Sequence, residues 1–359
     1  MGSASERSGA RWVEALSSSL SSASSVELDA PLRARTTLGV GGPARALVVV
    51  ATPADLVGLL GVCRSHGVPR LVLGRGSNLL VSDEGWDGVV VQLGPGFVGV
   101  EVEGDAPAAV RAAHPGARVV RVGAGSWNAH VVKELHREGL VGPEFLALIP
   151  GAFGGAVAMN AGTRWGELSS VLVSATCVSP DGTTSERDVA SLQMSYRRCG
   201  LGSGELVVAG RVVAWAGDVE AARERIKAEK TYRSSTQPYQ DKSAGSFFAN
   251  PPGDAAGRLI EAAGLKGLRW GGAQVSARHA NFIVNTGEAT ASEVIALMAL
   301  ARRLVAWRWA VSLRPEVKLV GFGPGDAGGI LDRLTLPPEL LAAARAHGAS
   351  VPVEGVQGR

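Results

Sequence analysis

The sequence predicts a protein of mixed helices and strands in which two small subdomains precede a further domain, and three observations carry that prediction. A strand, helix, strand pattern opens the folded part between Ala46 and Leu73. A glycine turn follows a strand at Gly74 and Gly76 and again at Gly123 and Gly125, which suggests two subdomains facing one bound molecule. Beyond residue 216 the pattern shifts to helices, one of them long and well capped. The expected partition is an N-terminal arm (1–29), a first domain (30–215, with subdomains of about 30–95 and 96–215), a final domain (216–322) and a tail (323–359). With 359 residues, 46% of them hydrophobic, there is material for two or three cores.

Taken in order, Met1 to Ser25 is serine-rich without a cationic start or a continuous apolar segment, so no secretory signal is expected and the protein is expected in the cytoplasm. Trp12, Val13, Leu16 and Leu20 fall near helical spacing, which leaves a frayed arm or a short helix as the two readings. Strands are expected at Ala46–Val50 and Leu71–Leu73, flanking a helix from Pro53 to His66 that Gly67 stops. Further β-type runs follow at Val89–Leu93, Val98–Val102 and Val119–Val122, then a helix from Trp127 to Glu138. Its histidines, His130 and His136, are six apart and lie on different faces, so they are not expected to share a metal.

Val171–Val178 and Val207–Val213 read as strands, and Asp218 suits the N-cap of a solvated helix that runs to Arg233. A helix from about Ala255 to Ala263, ended by Gly264, precedes a strand at Asn281–Val284. In the long helix that follows, Thr290 and Glu293 make a capping box, and Val294, Leu297, Met298, Ala301, Leu304 and Val305 make an apolar stripe. Met298 is therefore a core residue and not a ligand. Pro315–Val320 is the last strand, and the glycine-rich residues after Gly321 show no assignable pattern.

Composition excludes several classes of function. The formal net charge of +3 is small and no block of like charge occurs, so no nucleic-acid partner is expected, while a mildly basic surface suits an anionic small molecule. Cys63, Cys177 and Cys199 are odd in number and widely spaced, which fits free thiols in a reducing compartment rather than a disulfide framework or a zinc site. No transmembrane span and no obligate protein partner are evident.

The least ordinary stretch is Gly139 to Gly166, GLVGPEFLALIPGAFGGAVAMNAGTRWG, with seven glycines, two prolines and little charge. Ile149-Pro150-Gly151 followed by Gly154-Gly155-Ala156 reads as a loop laid against a bound cofactor or as a tight turn between buried elements. Gly74-Arg75-Gly76-Ser77-Asn78-Leu79 lacks the third glycine and the helix of a Rossmann motif. It can still form an anion nest for a pyrophosphate, with Ser77 and Asn78 adding donors, or Asn78 can simply cap a turn.

These stretches can be read together. Gly74-Arg75-Gly76-Ser77-Asn78, Ile149 to Ala156 with Met159-Asn160-Ala161-Gly162, Tyr196-Arg197, Gly245-Ser246-Phe247-Phe248-Ala249-Asn250-Pro251 and Arg314-Pro315-Glu316-Val317 occur in the order seen in the UDP-N-acetylenolpyruvoylglucosamine reductase (MurB) family. The chain resembles that family from about Leu32 to Gly321, and five motifs in one order are far more specific than any one of them. The short interval between Tyr196 and Ser246 resembles the family's second type.

The resemblance implies an FAD-binding domain of the vanillyl-alcohol-oxidase (PCMH) type, made of two α/β subdomains, and a C-terminal α+β domain that binds the sugar-nucleotide. It implies NADPH-dependent reduction of the enolpyruvyl ether of UDP-N-acetylglucosamine to UDP-N-acetylmuramate for peptidoglycan. The matching flavin positions are Gly74, Arg75, Gly76, Ser77, Asn78 and Leu79; Gly123, Ala124 and Gly125; Ile149, Pro150, Gly151, Gly154, Gly155 and Ala156; and Asn160 and Gly162. No histidine occurs in the turns at Gly74 and Gly123, so FAD is expected to be held without a covalent link.

Three positions match catalytic residues. Hydride addition beside a carboxylate builds enolate charge, and Arg197 offers a permanently cationic fork for it; alone, an arginine in Tyr-Arg-Arg reads as a surface ion pair. Ser246 matches the proton donor, although by itself it reads as a turn or cap serine. Glu316 must be paired with a cation or protonated if it lies near the substrate carboxylate, or else it is an edge-strand residue facing water.

Asn250, Tyr196 and Gln237 are candidate sugar-nucleotide contacts or local packing residues. Thr163-Arg164-Trp165 stands where many relatives have a small residue then tyrosine, Cys199 where serine is common, and Ala249 where lysine is frequent. The alternative functions are a flavin-dependent oxidase of another sugar or alcohol and a flavin-binding paralogue without catalysis.

Overall fold

The computed structural model describes residues 4–352, so the extreme ends of the expected arm and tail lie outside the described residues. The chain forms two compact units. One takes the residues up to Ala30, Arg45–Arg75 and Gly88–Lys230; the other takes Pro31–Ala44, Gly76–Asp87 and the residues from Thr231 onward.

The first unit holds two cores. Around one, a four-stranded sheet runs in the order Ser25–Pro31, Pro43–Val50, Trp86–Leu93, Arg70–Val72, the last pair being parallel. Helix Pro53–His66 is as the sequence predicts: Thr52 caps its first turn and Gly67 ends it in the left-handed region. Of the two readings of the N-terminal segment, the helix is the one that forms, Ala4–Ser19, and a frayed arm is not what the described residues show. Trp12 and Leu16, one turn apart, are buried in the same core as Leu56, Leu59 and Leu60, and burying that pair outweighs fraying. Asp55 secures the connection. Its carboxylate accepts from Ser21 N–H at 2.7 Å, Ser21 Oγ and Ser24 Oγ at 2.9 Å and Thr52 Oγ1 at 2.7 Å, and these donors, led by the Ser21 N–H, hold it well below the usual carboxylate range.

Around the other core, an antiparallel sheet runs in the order Thr184–Asp188, Leu172–Val178, Leu206–Ala216, Arg118–Gly123, Val100–Asp105. Helix Asn128–Arg137 places His136 in the interior at 8% exposure, with its Nε2 lacking a hydrogen-bond partner. Burial lowers the His136 pKa, against an opposing pull from Glu144. The folded state then binds fewer protons than the unfolded state as pH falls through the unfolded value near 6.5, so stability is lost in that direction. His136→Gln is expected to flatten the slope of the unfolding midpoint between about pH 7 and pH 5.5, measured by thermal denaturation. An unchanged slope would remove this histidine as the cause.

The second unit is built on a single core around helix Ala291–Trp309, whose start is the predicted capping box of Thr290 and Glu293. The predicted stripe is buried, but so are Ile295, Ala296, Leu300 and Arg303, so the helix is enclosed on more than one face. The cause lies in the tail. Residues after Gly321 form helices Ala327–Arg333 and Pro338–Ala346, which contribute Leu331 and Leu340 to that core, and the connection between them adds Leu336. Arg302 makes a two-pronged pair with Asp332 at 2.7 and 2.9 Å, and buried Arg303 donates to the carbonyls of Leu331, Asp332 and Leu334.

Of the expected last strand, only Lys318–Val320 forms, paired in parallel with Leu79–Val81. Pro315 and Glu316 instead pair with residues 247–248. A small antiparallel sheet, Arg269–Trp270, Ala273–Val275, Ile283–Asn285, completes the unit.

Candidate active site

In the first unit, two glycine turns, Gly123–Gly125 and Gly151–Gly155, are joined by backbone hydrogen bonds. Ala124 N–H donates to Val208 O, Gly154 N–H to Ala124 O at 2.8 Å, Phe153 N–H to Ser126 O at 2.8 Å and Asn128 N–H to Gly151 O at 3.1 Å. Asn128 also donates from Nδ2 to Ile149 O at 3.2 Å, while its buried Oδ1 has no partner. Arg75 lies with its guanidinium 4.0 Å from the centre of the exposed Trp127 indole.

The glycines divide into two kinds. A Cβ at Gly123 would sit 2.3 Å from Phe97 O, one at Gly125 3.0 Å from Leu93 O, and one at Gly154 2.8 Å from the Ala124 Cβ, so close packing within the chain already requires them. Ala124 and Ala156 are themselves buried. Gly155 differs: it is exposed, and a Cβ there would meet nothing within 4 Å. Gly74 is likewise exposed, with only an ordinary contact at 3.5 Å to Ala152 Cβ, and Pro150 is exposed as well.

Gly74, Pro150 and Gly155 are thus exposed positions of these turns, and open backbone with the Arg75 cation next to Gly74 in the chain would suit a flat cofactor carrying a pyrophosphate. Gly155→Ala separates fold from ligand. Because the position is helical and open, the substitution is expected to leave the apoprotein as stable or stabilise it by about 0.5–1 kcal/mol. It is expected to weaken FAD retention about tenfold, read by flavin fluorescence on dilution. Unchanged retention would take Gly155 out of the cofactor surface.

Farther along the same unit, Asn160 is fully buried in a left-handed conformation, and its side chain is engaged within the chain. Oδ1 accepts from Ser169 N–H at 2.9 Å and Nδ2 donates to Ser195 O at 3.1 Å. Arg197, also left-handed at φ 57°, donates from Nη2 to Gly162 O at 2.9 Å, and its guanidinium lies 5.1 Å from the centre of the Tyr196 ring. The Ser195–Arg198 turn is closed by reciprocal backbone bonds of 3.0 and 2.9 Å.

In the second unit, Gly76 is buried at φ 61°, and a Cβ there would lie 2.2 Å from Arg35 O, so the turn demands glycine. Asn78 is tied to the last strand: its Nδ2 donates to Glu316 O and its carbonyl accepts from Lys318 N–H, both at 3.1 Å. Leu79 is buried at the start of the parallel strand, and Ser77 is half-buried.

Ser246 follows Gly245, which has φ 81° and open space where a Cβ would be. The residues after it are held from two sides. Glu316 N–H donates to Phe247 O at 2.9 Å and Ala249 N–H to Arg314 O at 2.9 Å. From the other side, Phe247 N–H donates to Asn281 O at 2.9 Å, while the Asn281 side chain accepts from Phe248 N–H at 3.0 Å and donates to Phe248 O at 2.7 Å.

Asn281 is thus a positioning residue that sequence reasoning placed only as the first residue of a strand; an asparagine beginning an apolar run was the available signal. Asn281→Ala strips partners from two buried backbone groups and is expected to cost about 2–5 kcal/mol of stability, measured by denaturant unfolding. A loss below about 1 kcal/mol would show that the segment finds other partners.

Two candidate substrate contacts have local duties. Asn250 Oδ1 accepts from Ala256 N–H at 3.0 Å at the start of helix Ala256–Ala262, and Gln237 Oε1 accepts from Arg233 Nε at 3.3 Å. Ala249 is buried.

Among the described residues no helix is long and apolar enough to cross a membrane, and no group of three or more His, Cys, Asp or Glu could hold a metal ion. Residues 44–187 match the FAD binding domain family, and residues 237–320 match the C-terminal domain of UDP-N-acetylenolpyruvoylglucosamine reductase. The chain is 46% identical over 84% of its length to the UDP-N-acetylenolpyruvoylglucosamine reductase of Anaeromyxobacter sp., covering 91% of that protein. It is 44% identical, again over 84% of its length, to that of Anaeromyxobacter dehalogenans, covering 88%.

The crystal structure of UDP-N-acetylenolpyruvylglucosamine reductase (MurB) from Thermus caldophilus superposes with a TM-score of 0.68 at 38% identity, covering 83% of this chain and 98% of that one. The fold is accordingly α+β, with an FAD-binding domain of the vanillyl-alcohol-oxidase (PCMH) type and a MurB C-terminal domain. By sequence, by family match and by structure, the chain belongs to the UDP-N-acetylenolpyruvoylglucosamine reductase family.

Proposed function

We infer that the protein reduces UDP-N-acetylglucosamine enolpyruvate to UDP-N-acetylmuramate, with FAD as cofactor and NADPH as co-substrate, in peptidoglycan precursor synthesis. The observation that carries this reading is the backbone pairing of the Ser246 segment with Glu316, in a chain that matches reductases of this family over most of its length.

Reduction of the double bond needs a hydride at one carbon and a proton at its neighbour. When bound, FAD supplies the hydride and NADPH replenishes it. Gly74, Arg75, Pro150 and Gly155 are the residues we assign to hold the cofactor in the first unit. Arg197 is assigned to the substrate carboxylate: its planar cation matches the two oxygens on which enolate charge gathers, and the Gly162 carbonyl fixes the fork's orientation. Ser246 delivers the proton. A serine hydroxyl is a weak acid, so it serves only against a strongly basic enolate carbon and only when held in line. The left-handed Gly245 and the pairing on both sides of Phe247 and Phe248 supply that rigidity.

Glu316 is assigned to the same chemistry, protonated or paired with a cation, because a free carboxylate would repel the substrate's own. Its backbone is fixed at both polar atoms, by Phe247 O and Asn78 Nδ2. Tyr196, half-exposed beside Arg197, is assigned to the sugar-nucleotide, with Asn250 and Gln237 as further contacts. Residues 216–322 are read as the substrate-binding part of the chain. A cytoplasmic location belongs to this reading and is supported by three free cysteines, of which Cys63 and Cys177 are buried; burial pushes the Cys177 thiol up to about 12.

Purified protein is expected to show a flavin spectrum and to oxidise NADPH only when the enolpyruvyl sugar-nucleotide is added. Oxygen consumption that needs neither NADPH nor that substrate would favour an oxidase. A yellow protein without turnover would favour a flavin-binding paralogue.

A further inference from the structure

Arg197 does not stand on a rigid element. It lies in a left-handed turn, and its guanidinium is oriented by the carbonyl of Gly162. Gly162 belongs to a very small hairpin, strands Gly162–Thr163 and Gly166–Glu167, with Thr163 opposite Gly166 and Gly162 opposite Glu167. Two paired residues on each side have little stability of their own. The hairpin fits tightly at its base, where a Cβ on Gly162 would fall 2.5 Å from the Glu167 Cβ, so a shift of one strand moves the other.

The tip of the hairpin is Arg164-Trp165, both exposed, and Arg164 reaches across to an ion pair with Glu229 of helix Val219–Thr236. Glu229 is 4% exposed. A carboxylate so deeply buried is strongly disfavoured without a cation, so the pair resists opening and fixes the hairpin tip to an 18-residue helix. The connection therefore runs from the helix through Glu229 and Arg164 to the hairpin, and through the Gly162 carbonyl to the Arg197 guanidinium.

We propose that the Arg164–Glu229 ion pair is a positioning device for Arg197, holding the Gly162 carbonyl where it aligns the guanidinium with the substrate carboxylate. The inference rests on the role assigned to Arg197 above. A misplacement of about 1 Å in such a group costs up to roughly 100-fold in rate. In the holoenzyme, Arg164→Ala is expected to slow flavin reoxidation by the enolpyruvyl substrate by roughly 10- to 100-fold, while flavin reduction by NADPH changes by less than about twofold. Arg164→Lys keeps a cation against Glu229 and is expected to recover most of the rate. Since Arg164 acts through Arg197, Arg164→Ala is expected to cost little further rate in an Arg197→Lys background.

Stopped-flow measurement of the two half-reactions in the four proteins of that cycle decides the matter. Reoxidation unaffected by Arg164→Ala, equal loss in both half-reactions, or full additivity with Arg197→Lys would each overturn the proposal. Slow reoxidation in Arg197→Lys together with normal reoxidation in Arg164→Ala would overturn the ion pair's role alone. Normal reoxidation in Arg197→Lys would instead overturn the role of Arg197 itself. Glu229→Gln supplies a second approach, since it removes the charge from the buried end while nearly preserving shape, and it is expected to give the same asymmetric loss.

Discussion

Ser246→Ala is expected to slow reoxidation of the reduced flavin by substrate by roughly three orders of magnitude, while NADPH still reduces the flavin at close to the normal rate. The substitution removes one hydroxyl and leaves the surrounding backbone pairing with Asn281, Arg314 and Glu316 in place, because none of those bonds uses the Ser246 side chain. The unfolding midpoint should accordingly be preserved. A protein that lost both half-reactions together would show that Ser246 supports structure or the cofactor and not the proton transfer. Rapid-mixing spectra of each half-reaction, with solvent deuterium to expose the proton step, provide the measurement.

Arg197→Lys is the second large effect, expected at about 100- to 1,000-fold in kcat with a smaller change in KM. Charge is kept, so any deficit measures the planar fork and not the cation. Lysine offers a point charge on a flexible stem, and it cannot both donate to the Gly162 carbonyl and present two parallel N–H groups to a carboxylate. Retention of more than about a third of wild-type kcat would place Arg197 outside the charge-stabilising role. Steady-state kinetics at saturating NADPH separates the two parameters.

These two residues also show how far local sequence carries. Neither a Ser after Gly nor an Arg after Tyr is diagnostic alone; the order of five short motifs is what singles them out as candidates. The structure then adds what holds each one. Asn281 clamps the Ser246 segment from 33 residues away along the chain, and Glu229 reaches Arg164 from 65 residues away. No periodicity in the sequence announces either contact, since each is a single polar residue whose partner is chosen by the fold. The glycines teach a related lesson. Gly123 and Gly154 look like cofactor glycines in sequence, yet they meet the chain's own carbonyl or methyl groups, whereas Gly155 opens outward.

The amino-acid sequence by itself determined the elements whose causes are local. Helix Pro53–His66, the capping box at Thr290 and Glu293, and the Asp218 cap, which accepts from Ala221 N–H at 2.9 Å, depend on residues within a turn of one another. Tertiary structure decided the rest. Helix Ala327–Arg333 contains Gly328 and Gly329 and has weak propensity, and it is held by its Asp326 cap, by Leu331 in the core and by carbonyls donated to from Arg303. The expected strand at Pro315 and Glu316 gave way for the same reason, since backbone groups are satisfied by whichever partner lies opposite them in space, and here that partner is the segment following the proposed proton donor.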